Sequence, residues 1–277
     1  MRLNFKGVVK IGGARGNDPT PLLRELSERA VLGEKWLLVH GGSGKMEELC
    51  LSSGIEPKYV YSPSGFRSRF TGKREMALFE GACSSVSIDL ISSLWSMGTP
   101  ACPVWPSDGS GATAKAKDAL RSVEDGRVMV LRGNRSGSVR RFFGHAVDAT
   151  WRARAIPVMP PLAVDEDDGG LLNVDGDRLA ALAAASLGAS VLVILSNVPG
   201  VLKDVEDPSS LMRSGTLEEL MSLSKGNMKR KMVAVQEALE GGVNKVILSD
   251  SRVESPLSGA LEGRGTTVCR AFTAEED

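Results

Sequence analysis

The chain has 277 residues, in which 34 lysines and arginines balance 34 aspartates and glutamates, so its formal net charge is zero. At about 150 residues per domain, this length predicts one large domain or two small ones. A neutral chain lacks the overall basic coat of a protein that binds nucleic acid nonspecifically, so we expect no nucleic-acid partner. The 31 glycines fall in short clusters after apolar runs, which predicts a globular protein with several glycine loops.

The elements predicted along the chain alternate between strands and helices. Apolar, β-branched runs typical of strands occur at 7–11, 36–40, 59–61, 101–105, 127–131, 156–159, 190–195, 244–248 and 266–269. Helical patterns occur at 21–32, 45–53, 73–97, 176–187 and 228–239. This alternation is typical of an α/β protein, so we predict a three-layer α/β/α sandwich with a mainly parallel central sheet.

The middle of the chain departs from this alternation. Residues 107–155 show short polar-apolar runs joined by turns such as SVEDGR and RGNRSGS, which predict β-hairpins inserted beside the main sheet. The acidic, glycine-terminated turn Ala163–Gly170 is the most plausible boundary between two lobes. We therefore expect an N-terminal lobe at 1–170 and a C-terminal lobe at 171–277.

The segment Leu179–Leu202 carries no charge over 24 residues, long enough to span a bilayer. Gly188 and the pair Pro199-Gly200 divide it into a helix, a turn, a buried strand and a second turn. We predict no membrane span and a cytoplasmic protein. The four cysteines include no CxxC pair and there are two histidines, so no protein metal site is predicted.

Two strands end in paired glycines. VVKIGGARG places Lys10 before Gly12 and Gly13, and LLVHGGSGK places Gly41 and Gly42 before a helix. Free backbone N–H groups and a nearby cation bind anionic oxygens, although an ordinary strand-end turn with a solvated lysine is the alternative. The second motif does not fit G-x-x-x-x-G-K-[ST] at either end, so P-loop chemistry is excluded.

Four further motifs carry polar groups in turns or at helix starts. SPSGFRSRFTGKRE at 62–75 offers arginines suited to a carboxylate, LNVDGD ends in two aspartates of which either could cap a helix, and GNMKRKM supplies three cations. A solvated surface is the alternative for each basic run. DGSGATA at 108–114 fits the dinucleotide pattern G-x-G-x-x-A, but its position in the middle of the chain, ahead of a predicted hairpin, argues against that function.

The order of these motifs resembles the amino acid kinase superfamily. Within it the chain is similar to the acetylglutamate kinase branch, and most similar to the [LysW]-aminoadipate/[LysW]-glutamate kinases. The resemblance extends from about Val8 to Val268, and its most specific pieces are SPSGFRSRFT, LNVDGD, VLVILSNVPGVL and GGVNKVIL. It implies the amino acid kinase fold, which is shared with carbamate kinase.

The resemblance implies transfer of the γ-phosphoryl group of ATP to a side-chain carboxylate, with Mg²⁺ bound to the ATP phosphates. It implies catalytic roles for Lys10, Lys231 and Asp177, the aspartate orienting the two lysines. The substrate-binding residues that it implies are Gly41, Gly42, Arg69 and Asn173. The cofactor-binding residues that it implies are Gly12, Gly13, Ser196 and Gly200.

The resemblance also implies partners. The acceptor would be aminoadipate or glutamate, attached through its α-amino group to the C-terminal glutamate of a small acidic carrier protein, in lysine or arginine biosynthesis. A homodimer or higher oligomer is expected, with the long helix from Lys73 at the interface. A basic rim suited to the carrier is expected from Arg67, Lys73, Arg74, Arg132, Arg135, Arg140 and Arg141.

Two departures from the family pattern leave alternatives open. Ser43 stands where the family has a third glycine, and Asn197 stands where many relatives have aspartate. These residues are the support for a catalytically inactive nucleotide-binding regulatory subunit. A free N-acetylglutamate kinase of arginine biosynthesis is the other alternative, for which a basic rim would be unnecessary.

Overall fold

The computed structural model describes residues 5–61, 67–106, 111–117, 119–124 and 127–270. The strands of this part of the chain are β1 (Lys6–Ile11), β2 (Lys35–His40), β3 (Tyr59–Tyr61), β4 (Arg67–Arg69), β5 (Ala101–Pro103), β6 (Ala112–Ala116), β7 (Ala119–Glu124), β8 (Arg127–Arg132), β9 (Ser136–Phe142), β10 (Ile156–Met159), β11 (Leu162–Asp165), β12 (Leu171–Val174), β13 (Val191–Ser196), β14 (Lys245–Asp250) and β15 (Thr266–Cys269). Its helices are α1 (Thr20–Val31), α2 (Ser43–Ser52), α3 (Lys73–Ser96), α4 (His145–Arg152), α5 (Gly176–Ser186), α6 (Leu217–Leu223), α7 (Gly226–Glu240) and α8 (Pro256–Leu261).

A seven-stranded sheet forms the centre of the molecule, in the order β15-β14-β13-β1-β2-β10-β5. Every neighbouring pair is parallel except β14 with β15. The strand β13 is buried at all six positions, as expected for a parallel strand covered on both faces. The prediction that Leu179–Leu202 contains a helix and a strand is therefore confirmed.

Helices cover both faces of this sheet. On one face α5 and α7 pack together over a core that includes Leu179 and Val235. On the other face α1, α3 and α8 contribute to a second core that includes Leu23 and Leu90. The predicted three-layer α/β/α sandwich is confirmed.

The inserted strands form small sheets beside the central one. A closed four-stranded barrel contains β11, β12, β9 and β6, and two-stranded ribbons pair β3 with β4 and β7 with β8. The hairpin prediction for residues 107–155 is confirmed for β6 with β9 and for β7 with β8, which pair antiparallel. Parts of the predicted turns and motifs lie outside the described part of the chain. They are the turn residues 125–126, residues 62–66 of the motif at 62–75, and residues 108–110 of the motif at 108–114.

The hairpin prediction is wrong for residues 145–152, which form α4. Val147 and Trp151 are buried and stand four residues apart, on one face of the helix. The indole N–H of Trp151 donates to the carbonyl of Trp36 on β2 at 3.1 Å. This contact with a distant strand holds the short helix against the central sheet.

The predicted lobe boundary falls in the turn between β11 and β12, which pair antiparallel. The central sheet continues across it, because β1 lies between β2 and β13. The two predicted lobes therefore share one sheet.

In the described part of the chain, α3 is the one helix long and apolar enough to cross a membrane. A third of its most apolar stretch is buried, and the helix packs on α1, α2 and β10. Length and composition alone are weak evidence for a membrane span, because core helices of α/β proteins share both. Its exposed residues include Ile88 and Trp95.

Candidate active site

The two glycine motifs lie next to each other at the carboxyl edge of the sheet. β1 and β2 pair in parallel, with Ile11 opposite His40, so the glycine pairs that follow both strands meet. A Cβ at Gly13 would lie 2.5 Å from the carbonyl oxygen of Gly41, and a Cβ at Gly41 would lie 2.5 Å from the nitrogen of Gly13. Glycine is required at both positions because the two backbones touch.

Two lysines converge on one aspartate beside these glycines. The Nζ of Lys10, at the end of β1, lies 2.8 Å from Asp177 Oδ1, and Lys231 Nζ in α7 donates to Asp177 Oδ2 at 2.8 Å. Lys10 and Asp177 are 8% and 7% exposed. The structure thus joins three predicted catalytic residues from distant parts of the chain.

The cap of α5 determines which aspartate faces the lysines. Asp175 is the N-cap, and its Oδ1 accepts hydrogen bonds from the backbone N–H groups of Asp177 and Arg178 at 2.9 and 3.2 Å. Asp177 lies in the first helical turn, and its carboxylate contacts Lys10 and Lys231. From the sequence, either aspartate could cap the helix. The structure shows that Asp175 is the cap.

The charges of this cluster depend on one another. Burial alone would raise the pKa of Asp177, but Lys10 and Lys231 outweigh it and hold the pKa well below its ordinary value. For Lys231, burial lowers the pKa, Lys10 lowers it further, and Asp177 opposes both. The cluster carries one positive charge when all three groups are ionised, so it is suited to an additional anion.

Two cavities meet at this cluster. The arginine cavity, about 410 Å³, is lined among others by Gly41, Gly42, Arg69 and Asn173. The lysine cavity, about 400 Å³, is lined among others by Gly12, Asp177, Ser196 and Lys231. The residues that line both are Lys10, Gly13, Ser43, Gly176, Asn227 and Arg230. A group bound in one cavity can therefore reach a group bound in the other across Lys10.

Arg69 has an unused donor at the arginine cavity. Its Nη2 donates to the hydroxyl of Tyr59 at 3.1 Å, and its guanidinium lies over the Tyr59 ring at 5.5 Å. Its Nη1 is buried and has no hydrogen-bond partner among the described residues. A buried guanidinium nitrogen without a partner is costly. Because Arg69 lines this cavity, its guanidinium is suited to a carboxylate bound there.

Asn173 is held in place by the motif that contains Arg69. Its Nδ2 donates to Thr71 Oγ1 at 3.2 Å, and the N–H of Thr71 donates to Asn134 Oδ1 at 3.2 Å. Thr71 is fully buried. The threonine of the SRFT motif thus positions Asn173 at the cavity wall.

Of the predicted cofactor residues, the structure brings all but one to the lysine cavity. Gly12, Gly13 and Ser196 line it, whereas Gly200 does not. Gly200 has a φ of +150°, and its backbone packs against Thr266, whose hydroxyl accepts from the N–H of Val201 at 2.8 Å. Within this structure, the glycine is explained by that close packing.

The two departures from the family pattern also line the lysine cavity. Ser43 begins α2. Its φ is not positive, because Arg154 is the one non-glycine residue with a positive φ among those described. Ser43 therefore takes a helical conformation without strain and lines both cavities. Asn197 follows β13 directly.

The predicted basic rim is partly wrong, because two of its arginines are neutralised by the acidic turn after β11. Arg135 Nη1 lies 2.7 Å from Asp168 Oδ2, and Arg141 Nη2 lies 3.2 Å from Glu166 Oε1. These arginines stabilise the barrel by pairing with that turn. The side chain of Arg67 lies outside the described residues.

Sequence reasoning missed Asn227 and undervalued Arg230. Both stand at the start of α7 and line both cavities. Arg230 Nη2 donates to Ser68 Oγ on β4 at 3.0 Å. Their proximity to Lys231 in GNMKRKM was the available signal, but only the path of α7 shows which of its polar residues face the cavities.

His40 of the glycine motif has a structural role. It is buried, its Nδ1 lies 3.1 Å from the Gly41 carbonyl and its Nε2 lies 2.8 Å from Ser87 Oγ on α3. A carbonyl can only accept, so Nδ1 carries the proton and Nε2 accepts from the serine. Burial lowers the pKa of His40 to about 4.

This depressed pKa predicts acid sensitivity. His40 has a pKa of about 6.5 in the unfolded chain and about 4 in the folded protein. Between these pH values the unfolded state binds more protons, so the free energy of unfolding decreases as the pH falls from 6.5 to 4. We expect His40 to account for a loss of about 3 kcal/mol in the free energy of unfolding between pH 7.5 and pH 4. Urea unfolding of the wild type and of His40→Asn at both pH values measures it.

The exposed second histidine provides the control, because His145→Asn is expected to keep the wild-type pH dependence. An unchanged pH dependence in His40→Asn would contradict the assignment.

The lysine cavity fits a phosphate chain with a bound Mg²⁺. Gly12, Gly13, Gly176 and two lysines line it, and anionic oxygens prefer cationic surroundings that the backbone approaches closely. The N–H of Gly12 itself donates to the carbonyl of Leu195 at 3.1 Å. Among the described residues no three Asp, Glu, His or Cys side chains gather as a metal site. Magnesium commonly binds through phosphate oxygens and waters with few protein carboxylates, so its ligands here would come mainly from the phosphates.

Comparison with known proteins agrees with this geometry. The sequence model of the amino acid kinase family matches residues 6–250. The [LysW]-aminoadipate kinase of Deinococcus radiodurans is 40% identical over 265 residues, covering 94% of this chain and 90% of that protein. The [LysW]-aminoadipate/[LysW]-glutamate kinase of Sulfolobus acidocaldarius is 34% identical over 270 residues, covering 94% of this chain and 99% of that protein.

Solved structures agree in fold. N-acetylglutamate synthase from Neisseria gonorrhoeae has a TM-score of 0.78 at 24% identity, covering 97% of this chain and 60% of that one. Carbamate kinase from Giardia lamblia has a TM-score of 0.67 at 15% identity, covering 98% of this chain and all of that one. The resemblance predicted from the motifs is confirmed: the chain belongs to the amino acid kinase family.

Proposed function

We propose that this protein transfers the γ-phosphoryl group of ATP to the side-chain carboxylate of aminoadipate, glutamate or both, while the amino acid is attached to a small acidic LysW-type carrier protein. Such a reaction belongs to lysine or arginine biosynthesis, and its product is an acyl phosphate. The names of the curated relatives support a carrier-linked acceptor.

One observation carries the proposal. Two cavities meet at Lys10, whose ammonium group pairs with Asp177 beside Lys231, and the guanidinium of Arg69 lines one of these cavities. This arrangement suits a carboxylate acceptor in the arginine cavity and a polyphosphate in the lysine cavity. A kinase that joins a carboxylate to phosphate needs both, because the two reactants must meet in line.

The chain's own residues would act mainly through charge. A carboxylate is already ionised at pH 7, so no general base is required. One P–O bond forms between a carboxylate oxygen and the γ-phosphorus, while the bond to the β–γ bridging oxygen breaks and ADP leaves. Lys10 and Lys231, fixed in advance by Asp177, would stabilise the charge of the transferring group at little cost in reorganisation.

The remaining residues divide among the acceptor, the transferring phosphoryl group and the nucleotide. We assign Arg69 and Asn173 to the acceptor, the paired glycines at 12–13 and 41–42 to the path of the phosphoryl group, and Ser196 to the nucleotide. Bound Mg²⁺ would neutralise the β- and γ-phosphates. Gly200 would act only indirectly, through the turn after β13.

We further propose that residues 1–170 serve acceptor binding and dimerisation, and residues 171–277 ATP binding. Gly41, Gly42 and Arg69 line the arginine cavity, and Ser196 and Lys231 line the lysine cavity. We also propose a cytoplasmic homodimer or higher homo-oligomer, and the exposed Ile88 and Trp95 support α3 as its interface.

Trapping with hydroxylamine tests the reaction, because an acyl phosphate is converted to a hydroxamate. Carrier-linked aminoadipate, carrier-linked glutamate and free N-acetylglutamate are each incubated with ATP, Mg²⁺ and the enzyme. We expect hydroxamate with one or both carrier-linked acids and none without ATP. Comparable efficiency with free N-acetylglutamate would instead indicate a free N-acetylglutamate kinase, and ATP binding without any hydroxamate would indicate an inactive regulatory subunit.

A further inference from the structure

A third cavity opens beside the arginine cavity, and it shares Asp175 and Arg230 with the lysine cavity. This side cavity has a volume of about 500 Å³ and lies between β4, the start of β7, β9, β12 and the helices α5 and α7. The residues that it shares with the arginine cavity are Ser68, Arg69, Asn173, Val174 and Arg230. A ligand in the arginine cavity can therefore extend into the side cavity.

The walls of the side cavity are strongly cationic. Its lining contains the cations Arg69, Lys117, Arg178 and Arg230 against the single carboxylate of Asp175. That carboxylate is engaged in capping α5. Because the chain as a whole is neutral, this excess is a local feature.

These cations differ in how they are compensated. Arg178 Nε contacts both carboxylate oxygens of Glu237, at 3.0 and 2.9 Å, so its charge is balanced. Lys117 lies just beyond the end of β6, and its pKa is lowered by desolvation and then by the neighbouring Arg178. Arg230 lowers this pKa as well, and the carboxylate of Asp175 opposes the two arginines. An anion between Lys117 and Arg230 would relieve this repulsion.

In the proposed reaction, the chain attached to the acceptor could supply an anion to the side cavity. The arginine cavity alone is large enough for a small-molecule ligand, so a free amino acid would leave the side cavity unused. An acceptor attached through its amino group to an acidic protein needs an exit for the attached chain. The side cavity joins the arginine cavity beside Arg69 and Asn173, the residues assigned to the acceptor.

We propose that the side cavity is an anion subsite that binds a carboxylate of the chain carrying the acceptor, through Lys117 and Arg230. The inference rests on the proposed function and names how its carrier-linked substrate is recognised. Lys117 is a specificity-determining residue for the linked group and takes no part in phosphoryl transfer. Arg230 lines all three cavities and connects this subsite with the acceptor and the phosphates.

A matched pair of small ligands isolates the linker carboxylate. N-glutaryl-aminoadipate and N-pentanoyl-aminoadipate have the same length, but only the first carries a carboxylate at the end of its acyl group. Calorimetric titration of the wild type is expected to show about tenfold tighter binding of the glutaryl compound. In Lys117→Met this preference is expected to disappear, and Lys117→Arg is expected to restore most of it.

Lys115→Met is the matched control. Lys115 stands two residues earlier, its Nζ lies 2.6 Å from Asp167 Oδ1, and it does not line the side cavity. This variant is expected to keep the tenfold preference. With the carrier-linked substrate, Lys117→Met is expected to raise KM about tenfold and to leave kcat and the KM for ATP unchanged.

Three results would overturn the subsite. The wild type could bind the glutaryl and pentanoyl compounds equally, or Lys117→Met could weaken the binding of both compounds equally. Tight binding of free glutarate would instead assign the cavity to a free acid. Failure of the proposed function is seen separately, as absence of hydroxamate from the carrier-linked acids. The calorimetric comparison is independent of turnover, so the two failures are distinguishable.

Discussion

Lys10→Met is expected to lower kcat by about a thousandfold or more. Lys10 lines both the arginine and the lysine cavity, so its ammonium group would face the transferring phosphoryl group between acceptor and nucleotide. Removing one preorganised group that stabilises transition-state charge costs about 10²–10³ in rate, and cationic groups in phosphoryl transfer contribute about 10³–10⁵. Methionine keeps much of the side-chain volume, and Asp177 keeps Lys231 as a partner. Steady-state hydroxamate formation measures the loss.

Lys6→Met is the matched control. Lys6 lies four residues earlier on β1, on the same face of the strand, and its Nζ donates to the Leu187 carbonyl at 3.1 Å. This variant is expected to retain kcat within about threefold because it does not line either cavity. A similar loss of kcat in both variants would show that a positive charge on β1 matters for folding. A near-normal kcat in Lys10→Met would show that Lys10 takes no part in the mechanism.

Asp177→Asn is expected to lower the free energy of unfolding by about 3–5 kcal/mol at pH 7, because it leaves two buried ammonium groups without their counter-charge. Both Lys10 and Lys231 contact this carboxylate at 2.8 Å. Burial and Lys10 lower the pKa of Lys231 and Asp177 opposes them, so without this carboxylate the folded-state pKa of Lys231 falls further, whereas an unfolded lysine stays near about 10.4. The unfolded state then binds more protons above neutral pH, so the stability of the variant rises with pH relative to the wild type. Urea unfolding at pH 7 and pH 9.5 measures both effects.

The double variant Asp177→Asn/Lys10→Met separates charge repulsion from a lost cap. It is expected to recover more than half of the lost stability, because one of the two repelling charges is gone. Equal stability of the single and double variants, or a pH-independent loss, would contradict the electrostatic explanation. Asp175 supplies the cap of α5 in every variant.

Much of the fold is encoded locally. The runs that became β1, β2, β10 and β13 are apolar over most of their length because parallel strands are covered on both faces, so they stand out in the sequence. The helix at 145–152 is hard to predict from the sequence, because two helical turns offer few residues from which to recognise the helical period. Its burial depends on the contact between Trp151 and the distant strand β2, which no local pattern records.

The sequence by itself determined the strand–helix alternation, the strand-end glycines and the residue types of the active cluster, because propensity and periodicity act between near neighbours. Only the tertiary structure decided which polar groups meet. Strand order brings Lys10 to Asp177, the cap geometry of α5 assigns Asp175 to the helix and Asp177 to the lysines, and pairing with the acidic turn removes Arg135 from the basic rim. Ion pairing and burial depend on distances between segments far apart in the chain, and those distances are set only when the layers pack.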